Sequence, residues 1–400
     1  MKVAGIVAEY NPFHTGHGFQ IEQTRVRLGG ECAVIAVMSG NWVQQADCAI
    51  ADKWTRARLA LMGGVDLVLE LPTVWACSTA ESFARGAVGI LNACGVVDAL
   101  SFGSESGDIG GLKQVAACLD STEYDRRVRE LVNGGATFAV CRQQAVEELL
   151  GTELGRLLSR PNNNLGVEYI RALNALHSRT EPVTVLREGA AHNSTGQTAR
   201  FVSATQIRME LVEGNWDGAQ PYLPQGGRAL LEGRTVARFG LEQVERAILA
   251  RLRTMTAQDW ERLPDCGSAE GLPRRLERAG KSCVSVDDFF EQAKTKRYTR
   301  ARLSRLVLWA FLGLSAADVP ACPPYIRVLG FNERGREVLR QMKERAALPI
   351  LTKPAHAREL DEAGCRLFEA EARCTDLYDL CFETVPAPGR EWNTDPVILL

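Results

Sequence analysis

Short apolar runs recur along roughly the first half of the chain, and stretches with helical periodicity separate them. Each run ends at a turn containing Gly, Pro, Asn or Ser. The runs are Lys2–Glu9, Cys32–Met38, Val65–Leu71, Ala99–Phe102 and Pro182–Leu186, and the clearest helical stretches between them are Asp52–Leu61 and Ala80–Cys94. Buried strands that alternate with helices are typical of βαβ units and a parallel sheet. The pattern therefore predicts an α/β fold whose ligands bind where the strands end.

The pattern changes after about residue 212, where strand-like runs become scarce and helical periodicity dominates. The helical stretches are Leu241–Leu252, Val284–Lys294, Thr299–Leu314 and Glu333–Ala347. A chain of 400 residues also exceeds what one compact core usually holds. We therefore predict an α/β domain over residues 1–212 and a mainly α-helical domain over residues 213–400, with a loop-rich boundary at Glu213–Gly227.

Charge is distributed unevenly along the chain. The formal net charge of -2 argues against the whole chain as a binder of polyanions. The segment Glu291–Arg358, however, contains 14 Lys and Arg against 5 Asp and Glu, which is a net charge of +9. Arg300 and Arg305 lie there in a run that interleaves a tyrosine with basic side chains, a pattern that suits phosphate backbones. Ordinary solvated helix faces are the alternative interpretation.

The cysteines and the apolar runs bear on compartment and on metal binding. None of the 12 cysteines forms a CxxC pair, so neither a zinc ribbon nor a redox pair is indicated. We expect reduced thiols in a cytoplasmic protein. The N-terminus does not resemble a signal peptide, and no uncharged apolar run reaches the roughly 18 residues that a membrane helix needs. We therefore expect no membrane partner.

The stretch NPFHTGH, directly after the first apolar run, places two of the five histidines three residues apart. His14 and His17 would share one face of a helix that starts near Pro12 or Phe13, with Asn11 as its cap. Backbone N–H groups at such a helix start bind anions readily, and Gly16 leaves room for a bulky ligand.

Three interpretations of this histidine pair compete. A metal site would need a third and fourth ligand, and neither the other histidines nor the cysteines have a matching spacing, so we predict no metal ligands. A core or capping role is the second interpretation. The third is the HxGH signature of nucleotidyltransferases, in which both imidazoles contact ATP phosphates and stabilise the charge that develops as pyrophosphate leaves. The position of the pair, between an apolar strand and an amphipathic helix, favours the third.

A second motif, VSATQIR, follows at the end of the α/β section. Ser203 and Thr205 offer hydroxyl groups, and Arg208 offers a permanent cation, which suit the β- and γ-phosphates of ATP. Alone the motif would be an ordinary Ser/Thr helix cap. Paired with HxGH, it indicates a nucleotide clamp.

The chain resembles the tRNA(Met) cytidine acetate ligases nearly from end to end. The shared motifs, in order, are GIVAEYNPFHTGH, MSGNWVQQ, DKWTRA, GVDLVLELP, FGSE, PNNNLGVEY, VSATQIR, PYIRVLGFNERGRE and LPILTK. The resemblance implies a Rossmann-like ATP domain with a helical domain behind it. It also implies a ligase that forms acetyl-adenylate from ATP and acetate and passes the acetyl group to N4 of the wobble cytidine of elongator tRNA(Met). We expect Mg²⁺ to accompany the ATP.

The resemblance also implies site residues. The catalytic set is His14, His17, Ser203, Thr205 and Arg208. The ATP-contacting set is Val7, Ala8, Glu9, Tyr10, Asn11, Pro12, Phe13, His14, Thr15, Gly16, His17, Gly18, Phe19, Gln20, Gly103, Asn162, Asn163, Arg187 and Glu188. The set expected to bind substrate is Asn41, Lys53, Arg56, Arg300 and Arg305. We expect Asn41 and its neighbour Gln44 on the acetate side, Lys53 and Arg56 at phosphates or tRNA, and Arg300 and Arg305, from the basic segment, at tRNA. For Lys53 and Arg56, a solvated helix face is the alternative.

Two stretches depart from the family pattern. Where the family reads VQRG, this chain has Val43-Gln44-Gln45-Ala46 and therefore lacks a cation at Gln45. The family's GAGYHD-like run appears here as Gly189–Ser194, with its histidine displaced. Neither departure affects the phosphate-binding motifs.

Two other classes of function compete with the ligase. A small-molecule adenylyltransferase would use the same nucleotide motifs, but such enzymes are usually shorter and need no basic helical region. An RNA-binding protein that has lost catalysis would keep the fold, but the intact His14, Gly16, His17 and Arg208 argue against lost catalysis.

Overall fold

The computed structural model describes residues 1–133, 137–187, 201–238, 240–267, 271–295 and 298–400. Its centre is an eight-stranded sheet, to which β-strands from both ends of the chain contribute. The strands are β1 Lys2–Ala8, β2 Cys32–Ser39, β3 Trp42–Val43, β4 Asp47–Cys48, β5 Leu67–Leu71, β6 Ala99–Ser104, β7 Glu181–Leu186, β8 Ile326–Asn332, β9 Ile350–Leu351 and β10 Val397–Leu399. Strands β3 and β4 form a separate hairpin.

Helices are present in both halves of the chain. In the first half they are α1 Thr15–Arg27, α2 Lys53–Met62, α3 Thr73–Ala76, α4 Ala80–Ala93, α5 Ile109–Leu119, α6 Thr122–Asn133, α7 Phe138–Leu150, α8 Thr152–Gly155, α9 Pro161–Ala175 and α10 Ala204–Val212. In the second half they are α11 Trp216–Ala219, α12 Gly227–Leu231, α13 Glu245–Thr254, α14 Ala257–Glu261, α15 Leu272–Ser282, α16 Val286–Ala293, α17 Arg300–Leu312, α18 Glu333–Arg345, α19 Glu362–Asp379 and α20 Arg390–Asn393.

The strand order in the sheet is β10-β8-β5-β2-β1-β6-β7. Strands β5, β2, β1, β6 and β7 are parallel, β8 is antiparallel to β5, and β9 joins the free edge of β8. The α/β prediction with a parallel sheet is therefore confirmed. The all-buried pattern of β2 and β5 explains why these runs lack polar alternation, since helices cover both faces.

The expectation that strands are scarce beyond residue 212 is wrong for the C-terminal part of the chain. Strands β8, β9 and β10 lie in the same sheet as β1. Strand β8 was missed because Arg327 interrupts its apolar run, yet that side chain is buried over the Phe368 ring, 5.3 Å from its centroid. The domain boundary at residue 212 stays a prediction.

The order in which the strands are added to the sheet reverses between β1 and β6, which are parallel. From β1 the chain passes through α1 to β2 and then to β5, before α4 returns it to β6 on the other side of β1. A crevice forms at the carboxyl ends of strands where the order reverses in this way, and ligands bind there in open α/β sheets. The histidine motif follows β1, so the fold places it at this crevice.

Among the described residues, no helix combines the length and the apolar character that crossing a membrane requires.

Candidate active site

The two histidines cap the first helix reciprocally. Helix α1 begins at Thr15, and the Nδ1 atom of its N-cap His14 accepts a hydrogen bond from the Gly16 N–H at 3.0 Å. The Nδ1 atom of His17 accepts one from the His14 backbone N–H at 3.2 Å. The motif thus satisfies backbone donors that a helix start leaves unpaired.

The expected helix start near Pro12 or Phe13, with Asn11 as cap, is wrong. Asn11 and Pro12 form a turn before the helix. The Asn11 side chain instead accepts a hydrogen bond from the Ile50 N–H at 2.7 Å and so joins the turn to the segment before α2.

The caps determine which nitrogen of each ring carries the proton. Because Nδ1 accepts a backbone N–H in both rings, the neutral imidazole must carry its proton on Nε2. The ring centroids of His14 and His17 are 3.9 Å apart, and Tyr10 meets the His17 ring edge-on at 4.9 Å. The pair therefore presents two Nε2–H donors side by side.

Both histidines are neutral at physiological pH. Burial, assisted by the charge of Arg187, lowers the pKa of His14 to about 4. Burial, followed by the influence of His14 and Arg187, also holds the pKa of His17 well below its ordinary value. A neutral imidazole still has one N–H group with which it can donate a hydrogen bond to an anion.

Two adjoining cavities open in front of this pair. The first, of about 230 Å³, is lined by His14, Gly16, His17, Phe19, Gln20, Gly103, Val185, Leu186, Arg187, Phe201, Val202, Ser203 and Ala204. The second, of about 360 Å³, is lined by Val7, Ala8, Glu9, Tyr10, Asn11, His17, Gln20, Gln44, Gln45, Phe83, Phe102, Gly103, Pro161, Asn162, Leu165, Tyr169, Arg187 and Ala204. Their shared lining residues join them into one strand-end groove at the crevice between β1 and β6.

Helix α1 is fixed across this crevice. The Thr24 hydroxyl lies 2.6 Å from the Ser101 hydroxyl on β6, and Gln20 donates to the Ser101 carbonyl at 3.4 Å. These contacts hold the histidine-bearing helix against β6, so the groove has a defined width.

The downstream motif reaches the groove through its first residues. Ser203 caps α10 by accepting from the Gln206 N–H at 3.2 Å, and it lines the first cavity. Arg208 is buried, donates to the Asn11 carbonyl at 2.7 Å and to the Thr205 hydroxyl at 3.1 Å. The motif and the histidine turn are therefore joined directly. Thr205 and Arg208 do not line either cavity, so their contact with phosphate stays a prediction.

Gly103 and Arg187 lie together at the ends of β6 and β7. A Cβ atom at Gly103 would stand 3.1 Å from the Arg187 Cγ, so the glycine lets that side chain lie along the groove. Among the described residues, the Arg187 guanidinium has no hydrogen-bond partner, and it lines both cavities. Glu188 lies outside the described residues, as does the run Gly189–Ser194.

The two candidate asparagines divide their roles. Asn163 is buried, and its Oδ1 accepts from the backbone N–H groups of Glu105 and Ser106 at 3.0 and 3.1 Å. Asn162 lines the groove while donating to the Glu105 carboxylate at 2.8 Å. Asn163 thus holds the loop after β6, and Asn162 is the asparagine that can meet a ligand.

The structure contradicts the expectation that Lys53 meets a phosphate or tRNA. Lys53 is fully buried, and its ammonium lies 2.5 Å from a Glu70 oxygen and 2.6 Å from a Glu391 oxygen. The alternative interpretation, that Lys53 lies on a solvated helix face, is also wrong because the side chain is buried. The cause is Glu391 on α20, which comes from the far end of the chain and covers this face of α2.

Arg56 is buried as well and organises strand ends rather than a ligand. It donates to the carbonyls of Glu9 at 2.6 Å, Ala51 at 2.9 Å and Ser39 at 3.1 Å, and also to the Gly40 carbonyl. Its guanidinium thus uses its donors on backbone oxygens at the ends of β1 and β2.

Asn41 is also internal, which contradicts its expected place beside acetate. Its Oδ1 accepts from the Lys53 N–H at 2.8 Å, and its Nδ2 donates to the Thr375 hydroxyl at 3.2 Å. Gln44, suggested with it, does line the groove. Gln45 lines the groove too. The position where the family pattern has a basic residue therefore lies in the wall of the groove, and this chain has no positive charge there.

Arg300 and Arg305 are on α17, and both have partners within the protein. Arg300 donates to Asp287 at 2.7 Å and stacks over the Phe290 ring, while Arg305 donates to Asp265 at 2.6 Å. Their contact with tRNA stays a prediction.

Phe102, Tyr169 and Phe201 were the main omission from the predicted site, which already included Phe19. Phe201 lies 5.2 Å from Phe19, ring to ring, and Tyr169 lies 5.7 Å from Phe102. All four line the groove and offer flat apolar surface for a nucleobase. The available signal was position, since Phe201 directly precedes VSATQIR and Tyr169 ends PNNNLGVEY.

The described residues contain no group of three or more His, Cys, Asp or Glu that could hold a metal ion. Glu9 is the one carboxylate among the residues described as lining the groove, and its Oε1 accepts from the Gln44 N–H at 2.8 Å. Burial raises its pKa. This donor set does not fit a metal ion ligated by the protein alone.

The chain is similar to known proteins over most of its length. The family model described as HIGH Nucleotidyl Transferase matches residues 1–391. The chain is 37% identical over 391 residues to the tRNA(Met) cytidine acetate ligase of Caldanaerobacter subterraneus, covering 96% of each chain. It is 38% identical over 416 aligned positions to the enzyme of that name from Clostridium kluyveri, covering 100% and 99%.

Solved structures are similar over the whole chain. Thermotoga maritima TmcAL bound with alpha-thio ATP has a TM-score of 0.90 and 33% identity, and the match covers 100% of both chains. The apo form of the same protein has a TM-score of 0.92 and 35% identity over 100% of both chains.

Proposed function

Since the chain belongs to the tRNA(Met) cytidine acetate ligases of the HIGH nucleotidyl transferase family, we propose that it activates acetate with ATP and acetylates N4 of the wobble cytidine of elongator tRNA(Met). The observation that carries the proposal is the pair of Nε2–H donors of His14 and His17 at the strand-end groove. Relatives with this name, and a neighbour bound to an ATP analogue, support it.

In the first step an acetate oxygen attacks the α-phosphorus of ATP, and the bond to the bridging oxygen breaks so that pyrophosphate leaves. Negative charge grows on the phosphate oxygens as this happens. His14 and His17 donate to those oxygens from fixed positions, and Arg187 adds a positive charge beside them. The caps prevent either ring from turning, so little reorganisation accompanies the reaction.

Other residues of the groove would bind the base and the distal phosphates of ATP. We assign the base to the flat surfaces at Phe19 and Phe201 or at Phe102 and Tyr169, and amide contacts to Asn162. The helix start at Ser203 offers a hydroxyl and backbone donors for the distal phosphates. We expect Mg²⁺ to enter on the triphosphate, because Mg²⁺ usually binds substrate phosphates and keeps several waters.

In the second step the cytidine N4 attacks the acetyl carbon, the bond to the adenylate oxygen breaks, AMP leaves and N4 loses a proton. The exocyclic amine of cytosine is a poor nucleophile, so its placement against the adenylate is the main task. An anticodon loop can present an unstacked base for this purpose. Because ATP and tRNA are cytoplasmic, we place the reaction in the cytoplasm.

The test incubates the protein with ATP, labelled acetate and total tRNA, and measures both label on tRNA and ATP–pyrophosphate exchange. We expect label on tRNA, and exchange that depends on acetate. Exchange without label on tRNA would instead indicate a small-molecule adenylyltransferase. Absence of both would indicate an RNA-binding protein without catalysis.

A further inference from the structure

Another cavity of the described structure lies away from the strand-end groove. It has a volume of about 820 Å³ and lies between α18, β9 and β10. Strands β9 and β10 pair with successive halves of the outer edge of β8, at Ile326 and at Gly330, and the cavity opens beside their junction. Strand β8 is three strand spacings from β1, or ~14 Å. The cavity is therefore a separate site.

Basic side chains line one side of this cavity, which we call the basic cavity. Arg336, Arg340 and Lys343 recur at helical spacing along one face of α18, and Lys353 and His356 lie opposite on the segment after β9. Asp395 is the one carboxylate among the described residues that line it. The cavity wall therefore attracts anions.

These cations differ from those of α17. Arg336, Lys343 and Lys353 are exposed and form no hydrogen bond or ion pair with any residue that the structure describes. Arg340 is paired with Glu337 at 3.0 Å, but both side chains are largely exposed, so that pair is weak. Arg305, in contrast, pairs with Asp265 at a half-buried position, and Arg300 both pairs with Asp287 and stacks over the Phe290 ring.

The cavity floor is apolar. Leu339 and Met342 come from the inward side of α18, and Pro349 and Ile398 border β9 and β10. The Ile398 side chain is 50% exposed, so it presents aliphatic surface at this floor. An apolar floor beside a row of cations matches the two surfaces of a nucleotide, a base and a phosphate.

We propose that the basic cavity binds an unstacked nucleotide of the RNA substrate, with its base on the Ile398 floor and the flanking phosphates on Arg336, Arg340 and Lys343. The inference rests on the proposed function, because it takes tRNA as the partner. It adds a second contact, at a distance from the reacting cytidine, that anchors the RNA while the strand-end groove performs the chemistry. Charge complementarity favours RNA over a protein partner.

The first test removes the charge. The variant R336Q/R340Q/K343Q and a control variant K113Q/R126Q/R129Q lose the same charge, and the control positions are exposed on α5 and α6. Fluorescently labelled elongator tRNA(Met) is titrated at several salt concentrations. We expect the first variant to bind roughly tenfold more weakly or worse, with a salt dependence reduced by ~2–3 released ions, and the control to bind like the unaltered protein.

The second test removes apolar contact without changing charge. Ile398→Ser should weaken tRNA binding severalfold and leave the salt dependence unchanged, whereas Val385→Ser, at a residue 54% exposed, should leave both unchanged. Equal binding by the Ile398 and Val385 variants, or by the two charge variants, would overturn the proposal. Binding of free CMP as tight as that of tRNA, lost in the charge variant, would also overturn it by assigning the cavity to a free nucleotide.

Failure of the cavity proposal can be told apart from failure of the proposed function. The cavity variants should retain acetate-dependent ATP–pyrophosphate exchange, because they leave the strand-end groove intact. The proposed function fails if the unaltered protein transfers no acetate to tRNA, whereas the cavity proposal fails on the binding of the variants alone.

Discussion

Two groups of nitrogen-bearing side chains follow the ends of the central strands, and their surroundings are opposite. In the part of the chain that the structure describes, His14 and His17 use only Nδ1, so each keeps an Nε2–H donor for the strand-end groove. Lys53 and Arg56 use their donors on carboxylates and carbonyls of the protein. Both groups were predicted to meet phosphate. The difference shows that position after a strand places a residue near the site, whereas the availability of its donors decides what it does.

The largest effect should come from Lys53, and on stability. The variant Lys53→Met leaves the buried carboxylates of Glu70 and Glu391 without their ammonium partner, close to the buried Glu371. We expect the free energy of unfolding to fall by ~3–5 kcal/mol, because an uncompensated buried charge is costly. Urea denaturation followed by circular dichroism measures it.

The matched control is Arg228→Met, which removes a cation from an exposed pair with Asp217 and Glu232. Its cost should stay below about 1 kcal/mol. A similar cost for both variants would mean that the Lys53 cluster is not a stabilising core, and the contrast with the histidine pair would be lost.

The histidine pair should show the reverse, a large effect on chemistry and a small one on stability. His17→Ala should lower acetate-dependent ATP–pyrophosphate exchange by ~10²–10³-fold, as loss of a preorganised donor does. Two further variants separate the cap from the donor. His17→Asn keeps a group that can cap the His14 N–H but loses the outer donor, so it should be as impaired as Ala.

His17→Gln places an amide N–H near the former Nε2 and should recover part of the exchange. If Asn were active and Gln inactive, the cap would be the function of His17, and the donor assignment would be wrong. Affinity for tRNA serves as the control measurement and should change little in all three variants.

The sequence predicted the parts of the fold that depend on local pattern. The apolar runs that became β1, β2, β5, β6 and β7 were found within two residues of their ends, because continuous apolar runs are typical of strands in a parallel sheet. Strand β8 was missed because its buried Arg327 is stabilised by Phe368, which the local pattern does not contain. A residue's long-range partners thus limit what a run of sequence can reveal.

The same limit applies to the site. NPFHTGH and VSATQIR indicated a shared site from their order alone, and the structure joins them through Arg208 and the Asn11 carbonyl. The roles of Lys53 and Asn41 were predicted wrongly since one partner of each, Glu391 and Thr375 respectively, is more than three hundred positions away along the chain. Arg56 was predicted wrongly since its donors are used by backbone carbonyls that become its neighbours only on folding, such as that of Glu9.

A pH experiment sharpens the comparison further. The pKa of His14 is about 4 in the folded protein, against an ordinary value of 6.5. Between these values the unfolded chain binds more protons, so the free energy of unfolding falls as pH is lowered through this window. We expect His14 to account for roughly 2 kcal/mol of the loss between pH 7 and pH 5.

The variant His14→Asn should remove that part of the loss, because Asn caps helices well and does not titrate. The control is His177→Asn at an exposed histidine with φ 47, a conformation that Asn tolerates. Urea denaturation at the two pH values measures the slope, and an unchanged slope in His14→Asn would contradict the burial of a neutral imidazole at that position.

The smallest expected effect comes from comparing two helix N-caps, Ser203, which also lines the groove, and Thr299, which does not. Ser203 caps α10, and Thr299 caps α17. Replacing either by Ala should lower the free energy of unfolding by about 1 kcal/mol. Only Ser203→Ala should also raise the KM for ATP in the exchange assay, because only its hydroxyl is within the groove. If Thr299→Ala raised that KM equally, the effect would come from general loosening of the fold, and Ser203 would belong with Lys53 among the residues that serve structure alone.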